Sequence, residues 1–231
     1  MNFKNINSWN LEPKQAIELQ NELRKKITPG LFTKIGKLYF RKTRIDLIAG
    51  ADVSFKKGKA IGIVAVLSFP ELKLIESIKR IAKINYPYIP GLLTFREGPV
   101  LEECFKKLKS NPDIIIFDGQ GIAHPRNMGI ATHMGILLDK PTIGCAKTWL
   151  YGDFRVPKES RGSFSYLLEH KKRKIGVVLR TKDDVKAVFV SPGNKIDIKS
   201  SIKIILKCTK EYRLPEPLRL AHRLSKDINF S

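Results

Sequence analysis

Acidic residues are scarce in this chain. Its 231 residues carry 22 Asp and Glu against 43 Lys and Arg, a formal net charge of +21, and a field of that sign attracts a polyanion, nucleic acid first. Lysine-rich composition without a specific partner is the competing reading, and charge alone does not separate the two. Cysteine is equally sparse: Cys104, Cys145 and Cys208 are odd in number, far apart and set in apolar patterns. That spacing argues against a disulfide framework and predicts core thiols. His124, His133, His170 and His222 form no HxxxH or CxxC arrangement, so zinc chemistry lacks support. No apolar run approaches the roughly 18 residues of a membrane span. The amino-terminal MNFKNINSWN lacks the basic, apolar and cleavage regions of a signal peptide, so a soluble, cytoplasmic protein with no membrane partner is expected. No low-complexity stretch divides the chain, and residues 1–231 read as one domain with a substantial core.

Against that background three carboxylates stand out by their setting. Asp52 in AGADVSF follows the apolar run Leu47-Ile48-Ala49-Gly50-Ala51, and Asp118 in IIIFDGQG follows Ile114-Ile115-Ile116-Phe117. Glu97 in FREGPV stands at the start of an amphipathic segment. Strand ends and helix starts are where clefts form. Carboxylates gathered there need a cation, and hard oxygen ligands select magnesium or manganese over zinc. The pattern points to a metal-dependent nuclease, because phosphodiester hydrolysis needs an activated water and stabilised phosphate charge, and a divalent cation supplies both. Each residue also has a plainer reading. Asp52 reads equally as a strand-end carboxylate paired with Lys or Arg, Asp118 as an Asp-Gly turn, and Glu97 as a partner of its helix dipole. Lys147, at the end of the apolar stretch Thr142 to Ala146, is a candidate for neutralising the transition state, although most lysines are surface residues.

The pattern along the chain predicts an α/β protein. Pro13 opens a helix with Ala16, Leu19, Leu23 and Ile27 on one face, stopped by Pro29-Gly30. Strands are expected at 46–54, 60–68 and 72–82, with connections short enough for an antiparallel meander. From Pro99 onward Val100, Leu101, Cys104, Phe105 and Leu108 make a helical stripe, followed by a strand at 114–117, a helix at 128–138 and a strand ending at Ala146, which together suit a parallel β-α-β unit. Residues 151–173 show no clear period and are expected to be an elaborated loop. A hairpin at 175–181 and 185–190, a helix capped by Asp197 and a last short helix after Pro217 complete the chain. The order resembles the ribonuclease H-like arrangement, a mixed central sheet flanked by helices.

Tyr86-Pro87-Tyr88-Ile89-Pro90-Gly91 is a stiff hexapeptide, since two prolines fix φ and remove amide donors. A rigid apolar tip can act as a wedge that offsets the few kcal/mol needed to unstack a nucleotide. The alternative is a proline-bounded turn with Tyr88 packed in the core.

Five ordered blocks now carry a resemblance: ADVSF at 51–55, PYIPGLLTFREGP at 87–99, DGQGIAHPRNMGIATHMG at 118–135, GCAKTWL at 144–150 and YRLPEPLRLAH at 212–222. Together they cover nearly the whole chain, and in this order they resemble the endonuclease V family, deoxyinosine 3′ endonucleases. The resemblance implies Mg²⁺, with Mn²⁺ substituting, held by Asp52, Asp118 and Glu97. It implies a role for Lys147 in the active site and His222 close to the water bound by the metal. It makes Tyr88, with Pro87, Ile89 and Pro90, a strand-separating wedge, puts Gly91, Gly119 and Gly121 along a base pocket, and gives His124 and Arg126 to the substrate-binding wall. The implied reaction is hydrolysis of the second phosphodiester bond 3′ to deoxyinosine, leaving 3′-hydroxyl and 5′-phosphate ends at the start of DNA repair, by a monomer. Inosine-containing RNA is the alternative substrate, and a basic nucleic-acid-binding protein without catalysis is the alternative class. One departure is Ser191-Pro192-Gly193-Asn194, where many relatives have histidine after the glycine.

Overall fold

A computed structural model of the chain describes residues 8–28, 30, 39–40 and 43–226. The first seven residues and Pro29, half of the expected helix stop, lie outside that set. Helix α1 (Pro13–Leu23) starts where Pro13 predicts, with the Gln15 side chain accepting from the Glu12 N–H at 3.1 Å. Its last turn tightens into a 3₁₀ turn, Arg24–Lys26. After a short hairpin of β1 (Tyr39–Phe40) and β2 (Thr43–Arg44) come β3 (Leu47–Lys56), β4 (Lys59–Ser68) and β5 (Leu74–Lys83). These three form the expected antiparallel meander. Then follow α2 (Leu93–Lys107), β6 (Ile114–Phe117), α3 (Ile130–Leu138), β7 (Thr142–Ala146), β8 (Phe164–Glu169), β9 (Arg173–Leu179), β10 (Val188–Pro192), α4 (Ile198–Cys208) and α5 (Glu216–Lys226).

Among the described residues the main sheet has eight strands in the order β5-β4-β3-β6-β7-β10-β9-β8. Its middle is parallel, β3 beside β6 and β6 beside β7, because α3 makes the crossover that the β-α-β pattern requires. Helices cover both faces. On one, Ala49, Ala51, Val64 and Val66 meet Leu101 and Phe105 of α2 and Met134 of α3. On the other, Ile48, Ile63, Ala65 and Ile114 meet Ile204 and Ile205 of α4 and Leu218 and Ala221 of α5. Strands covered on both sides read as nearly unbroken apolar runs, which is why β4 and β6 were plain in the sequence. All three cysteines are buried and free, and burial pushes the Cys104 thiol up to about 12.

Two expectations are corrected. Helix α2 begins at Leu93 and contains Pro99, so the stripe seen from Pro99 onward is only its second half. Packing against β4 and β5 outweighs the single amide hydrogen bond that proline removes. The segment 151–173 is not loop throughout: β8 lies within it as an edge strand on β9. Its alternation was hidden because the register shifts between Leu167 and Leu168 and only Leu167 of the strand is buried.

One glycine fixes how closely α5 approaches the sheet. A Cβ on Gly50 would lie 2.2 Å from the carbonyl carbon and oxygen of Pro217, so the first turn of α5 rests directly on the β3 backbone. Gly50→Ala is expected to cost about 1–3 kcal/mol through overpacking and to lower the melting temperature by several degrees. An unchanged thermal melt would show that α5 is not seated against β3.

Candidate active site

The parallel pairing of β3 and β6 sets two carboxylates side by side. Ala51 is in register with Phe117, and the Asp118 N–H donates to the Ala51 carbonyl at 3.1 Å, so Asp52 and Asp118 are the next residues on neighbouring strands. Asp52 shares the sheet face of Ile48 and Gly50, under α5. There His222, held close by the Gly50 contact, places Nδ1 2.9 Å from Asp52 Oδ2. Lys147 follows the last residue of β7, the next parallel strand, and its Nζ pairs with Asp118 Oδ2. Arg213 fixes the backbone there, its Nη2 donating to the carbonyls of Lys147 at 2.9 Å and Ala187 at 2.7 Å.

Glu97 comes from α2 and is 9 % exposed. Its carboxyl is held well above the usual carboxylate range by burial first, then by the charges of Asp52 and Asp118, with Arg96 opposing. Asp52 is raised as well, by burial and then by Asp118, against the lowering hydrogen bond from His222. Glu97 is thus near enough to feel the charges of Asp52 and Asp118, and Asp52 that of Asp118. Asp52 pairs with His222 and Asp118 with Lys147, and among the described residues no three His, Cys, Asp or Glu side chains stand where they could hold a metal ion together. In its chemistry the donor set nonetheless suits a hard divalent cation: three carboxylates, two of them buried with a raised proton affinity, offer oxygen ligands only.

Beside this cluster a cavity of about 230 Å³ opens between the hexapeptide loop and the segments that follow Asp118 and Lys147. Ile89-Pro90-Gly91-Leu92 is a type II turn, with the Leu92 N–H donating to the Ile89 carbonyl at 2.9 Å, Pro90 at its second position and Gly91 at φ +81°. Tyr88 is 69 % exposed at the tip, whereas Tyr86 is the tyrosine packed inside at 6 %. Pro87 and Pro90 are exposed and Ile89 half-buried. Tyr88, Ile89, Pro90 and Gly91 line the cavity, as do Gly119 and His124. Gly121 does not. It lies under the loop, where a Cβ would sit 2.0 Å from the Pro192 carbonyl oxygen, and its N–H donates to Ser191 Oγ at 2.8 Å. Arg126 stands behind His124, not on the lining. His124 is 3 % exposed, and burial first, then Arg126, lowers it to about 4, so its ring is neutral.

The sequence reading missed Gln120, Trp149 and Leu150, which also line the cavity. Gln120 Nε2 donates to the Thr148 carbonyl at 3.1 Å, while its Oε1 is buried without a partner. Trp149 is 56 % exposed and its Nε1 donates to the Gly152 carbonyl at 2.7 Å. The available signal was position: an aromatic and an aliphatic residue two and three places after a strand-end lysine. The departing Asn194 is 2 % exposed. It donates from Nδ2 to the Gly135 carbonyl and accepts from the Thr28 N–H at Oδ1, both at 3.0 Å, so it serves the scaffold.

Comparison with known proteins gives the family and the fold. A family model described as Endonuclease V matches residues 33–223. The chain is 49% identical over 212 residues to an Endonuclease V of Dictyoglomus turgidum, covering 92% of this chain and 89% of that one. The crystal structure of the Bacillus subtilis Endonuclease V matches with a TM-score of 0.85 and 32% identity, over 97% of this chain and 95% of that chain. That of Ciona intestinalis, in complex with a 24mer DNA containing an inosine followed by a ribo-adenosine, matches with a TM-score of 0.78 and 27% identity, over 92% and 95%. The mixed sheet with helices on both faces is the ribonuclease H-like arrangement of these structures.

The raised proton affinity of Glu97 has a measurable consequence. Its folded value lies above its unfolded one, so its contribution is fully present below the unfolded value and is lost as pH rises through the folded value. Glu97→Gln removes that loss. The variant is expected to melt several degrees above the parent at about pH 8 without divalent metal, with the gap narrowing towards about pH 4 as Glu97 protonates. Equal melting temperatures at the higher pH would contradict the burial of an ionised, uncompensated carboxylate.

Proposed function

Because the chain belongs to the endonuclease V family, we propose that it is a magnesium-dependent DNA repair endonuclease that cleaves the second phosphodiester bond 3′ to deoxyinosine, leaving 3′-hydroxyl and 5′-phosphate ends. The observation that carries this reading is the placement of Asp52 and Asp118 side by side at the ends of paired parallel strands, with Glu97 of α2 near enough to feel both charges. A relative bound to inosine-containing DNA and the +21 charge of this chain support nucleic acid as the substrate. Residues 1–231 act as one catalytic domain, a monomer in the cytoplasm. Among the described residues no helix is long and apolar enough to cross a membrane.

Asp52, Glu97 and Asp118 would hold Mg²⁺, with Mn²⁺ able to replace it, and the bound cation supplies a lowered water pKa and charge stabilisation at the phosphate. The chain's own groups do the rest. Lys147 Nζ carries a positive charge at the edge of the cluster, where it neutralises charge gathering on the phosphate oxygens. His222 is oriented through Nδ1 by Asp52, which leaves Nε2 free to take a proton from the attacking water. The turn at Ile89–Leu92 presents Tyr88 as a wedge, and the cavity behind it receives the displaced hypoxanthine between Gly91, Gly119 and His124. Arg126, with its Nη2 on the Gly91 carbonyl at 2.8 Å, backs that wall.

Inosine-containing RNA is kept as a second substrate because the relative's bound strand carries a ribonucleotide after the inosine, so the neighbouring site there tolerates a 2′-hydroxyl. The test is a nicking assay on labelled strands carrying deoxyinosine or riboinosine at one position. With Mg²⁺ or Mn²⁺ the deoxyinosine strand is expected to be cut one nucleotide beyond the lesion, and Asp52→Ala and Asp118→Ala are each expected to lose at least about a hundredfold in rate. No cut with either metal, or full activity in those variants, defeats the proposal, and faster cleavage of riboinosine transfers it to RNA. Turnover of either strand also separates an enzyme from a basic binding protein.

Tyr88→Ala is expected to reduce the preference for inosine over undamaged duplex by about tenfold, a loss of about 1.4 kcal/mol, while Mg²⁺ affinity by calorimetry stays unchanged. Parallel loss of metal binding would place Tyr88 in the scaffold instead.

A further inference from the structure

Three donors from distant parts of the chain converge on one backbone oxygen. The Gly91 carbonyl, at the exit of the wedge turn, accepts from Gln20 Nε2 at 3.1 Å, His124 Nε2 at 3.0 Å and Arg126 Nη2 at 2.8 Å. A carbonyl oxygen offers two lone pairs, so its position is over-determined. The entry to the tip is gripped too, since Arg96 Nη1 donates to the Tyr86 carbonyl at 2.7 Å. Between these fixed points Tyr88 projects into solvent.

Gln20 is the unexpected member. It sits in α1, is 0 % exposed, and lies before residue 33, where the family match begins. A position this buried on a helix that packs through Ala16 and Leu23 would suit an apolar residue unless its amide were used. Both ends of the amide are used. Oε1 accepts from Arg126 Nε at 2.6 Å, and Nε2 reaches the Met128 carbonyl at 3.3 Å as well as that of Gly91. A flipped amide would face carbonyls with oxygen and the guanidinium with N–H, so only one orientation satisfies the network. His124 completes it: Nδ1 accepts from the Arg126 N–H at 3.2 Å, which leaves the ring proton on Nε2, facing Gly91.

We infer that Gln20 is a positioning residue for strand opening: from α1 it pins the Gly91 carbonyl and thereby keeps the Tyr88–Pro90 tip rigid against the load of an unstacking duplex. The load is real, because extruding a nucleotide from a duplex costs a few kcal/mol, and a tip that yields delivers less of that work. The inference rests on the reading of the loop as a wedge in an inosine-directed nuclease.

The test compares two substrates, inosine paired in a duplex and inosine in an unpaired bubble that needs no opening, both cut well below the melting temperature. In Gln20→Met, which keeps the volume and loses the hydrogen bonds, kcat/KM on the duplex is expected to fall about tenfold while the bubble changes by less than about twofold. Leu23→Val, which loosens the same helix without touching the network, is expected to leave the ratio of the two unchanged. If Gln20→Met does not fold, Gln20→Glu carries the same comparison, since it keeps an acceptor for Arg126 and loses the donor to Gly91. Equal losses on both substrates, no loss on either, or an equal shift of the ratio in Leu23→Val overturns the inference while leaving the proposed function intact. A parent protein that cuts neither substrate defeats the proposed function and this inference with it.

Discussion

The structure turns on a local excess of negative charge inside a strongly positive molecule. Asp52, Glu97 and Asp118 stand within electrostatic reach of one another, and Lys147 and His222 pair with one oxygen each of Asp118 and Asp52. Glu97 has neither helper at hand. Far from the site, the +21 charge would draw in a polyanion. Within the site, the carboxylates repel the same phosphates. A divalent cation bound there would resolve the conflict, since it would neutralise the carboxylates and turn their charge into a phosphate-binding surface. Burial of Glu97 costs stability when no cation is bound, and the covered eight-stranded sheet supplies the core that tolerates the cost.

On the proposed function the same segments would carry recognition and chemistry. Gly119 and Gln120 follow Asp118 directly, Trp149 and Leu150 stand two and three residues after Lys147, and Thr94 lies one helical turn before Glu97, and all of them line the cavity under the wedge loop. A base seated there would therefore press on the short connections that position the acidic cluster. The hexapeptide loop is tied to the same segments, through Arg96, which precedes Glu97 on α2, at the Tyr86 carbonyl and through His124 and Arg126 at the Gly91 carbonyl, and Gln20 of α1 adds an anchor from outside them.

Much of this was legible in the sequence, for physical reasons. Asp52 and Asp118 showed because a charged residue directly after an apolar run is costly unless something pairs with it, and the parallel pairing of those runs is what makes them neighbours. Strand β6 was read at its observed bounds, and α4 at its cap, where Asp197 accepts from the Ser200 N–H at 2.7 Å. What stayed hidden is long-range. Gln20 stands at helical spacing from Ala16 and Leu23, on the buried face of α1, yet its residue type reads as solvated, and only the tertiary contacts show what its amide is for. The start of α2 was masked by Pro99, and β8 by its register shift and its place at the sheet edge. Gly121 resembled a pocket residue from its place in DGQG, yet the close approach of Pro192 turns it into a packing glycine.

The most direct test of the account is a crystal of the protein soaked in Mn²⁺, with the anomalous signal recorded at the site. The account predicts one strong peak bounded by carboxylate oxygens of Asp52, Glu97 and Asp118, and its loss in Asp118→Ala crystals treated the same way. A peak coordinated elsewhere, or no peak among these three side chains at saturating Mn²⁺, would contradict it.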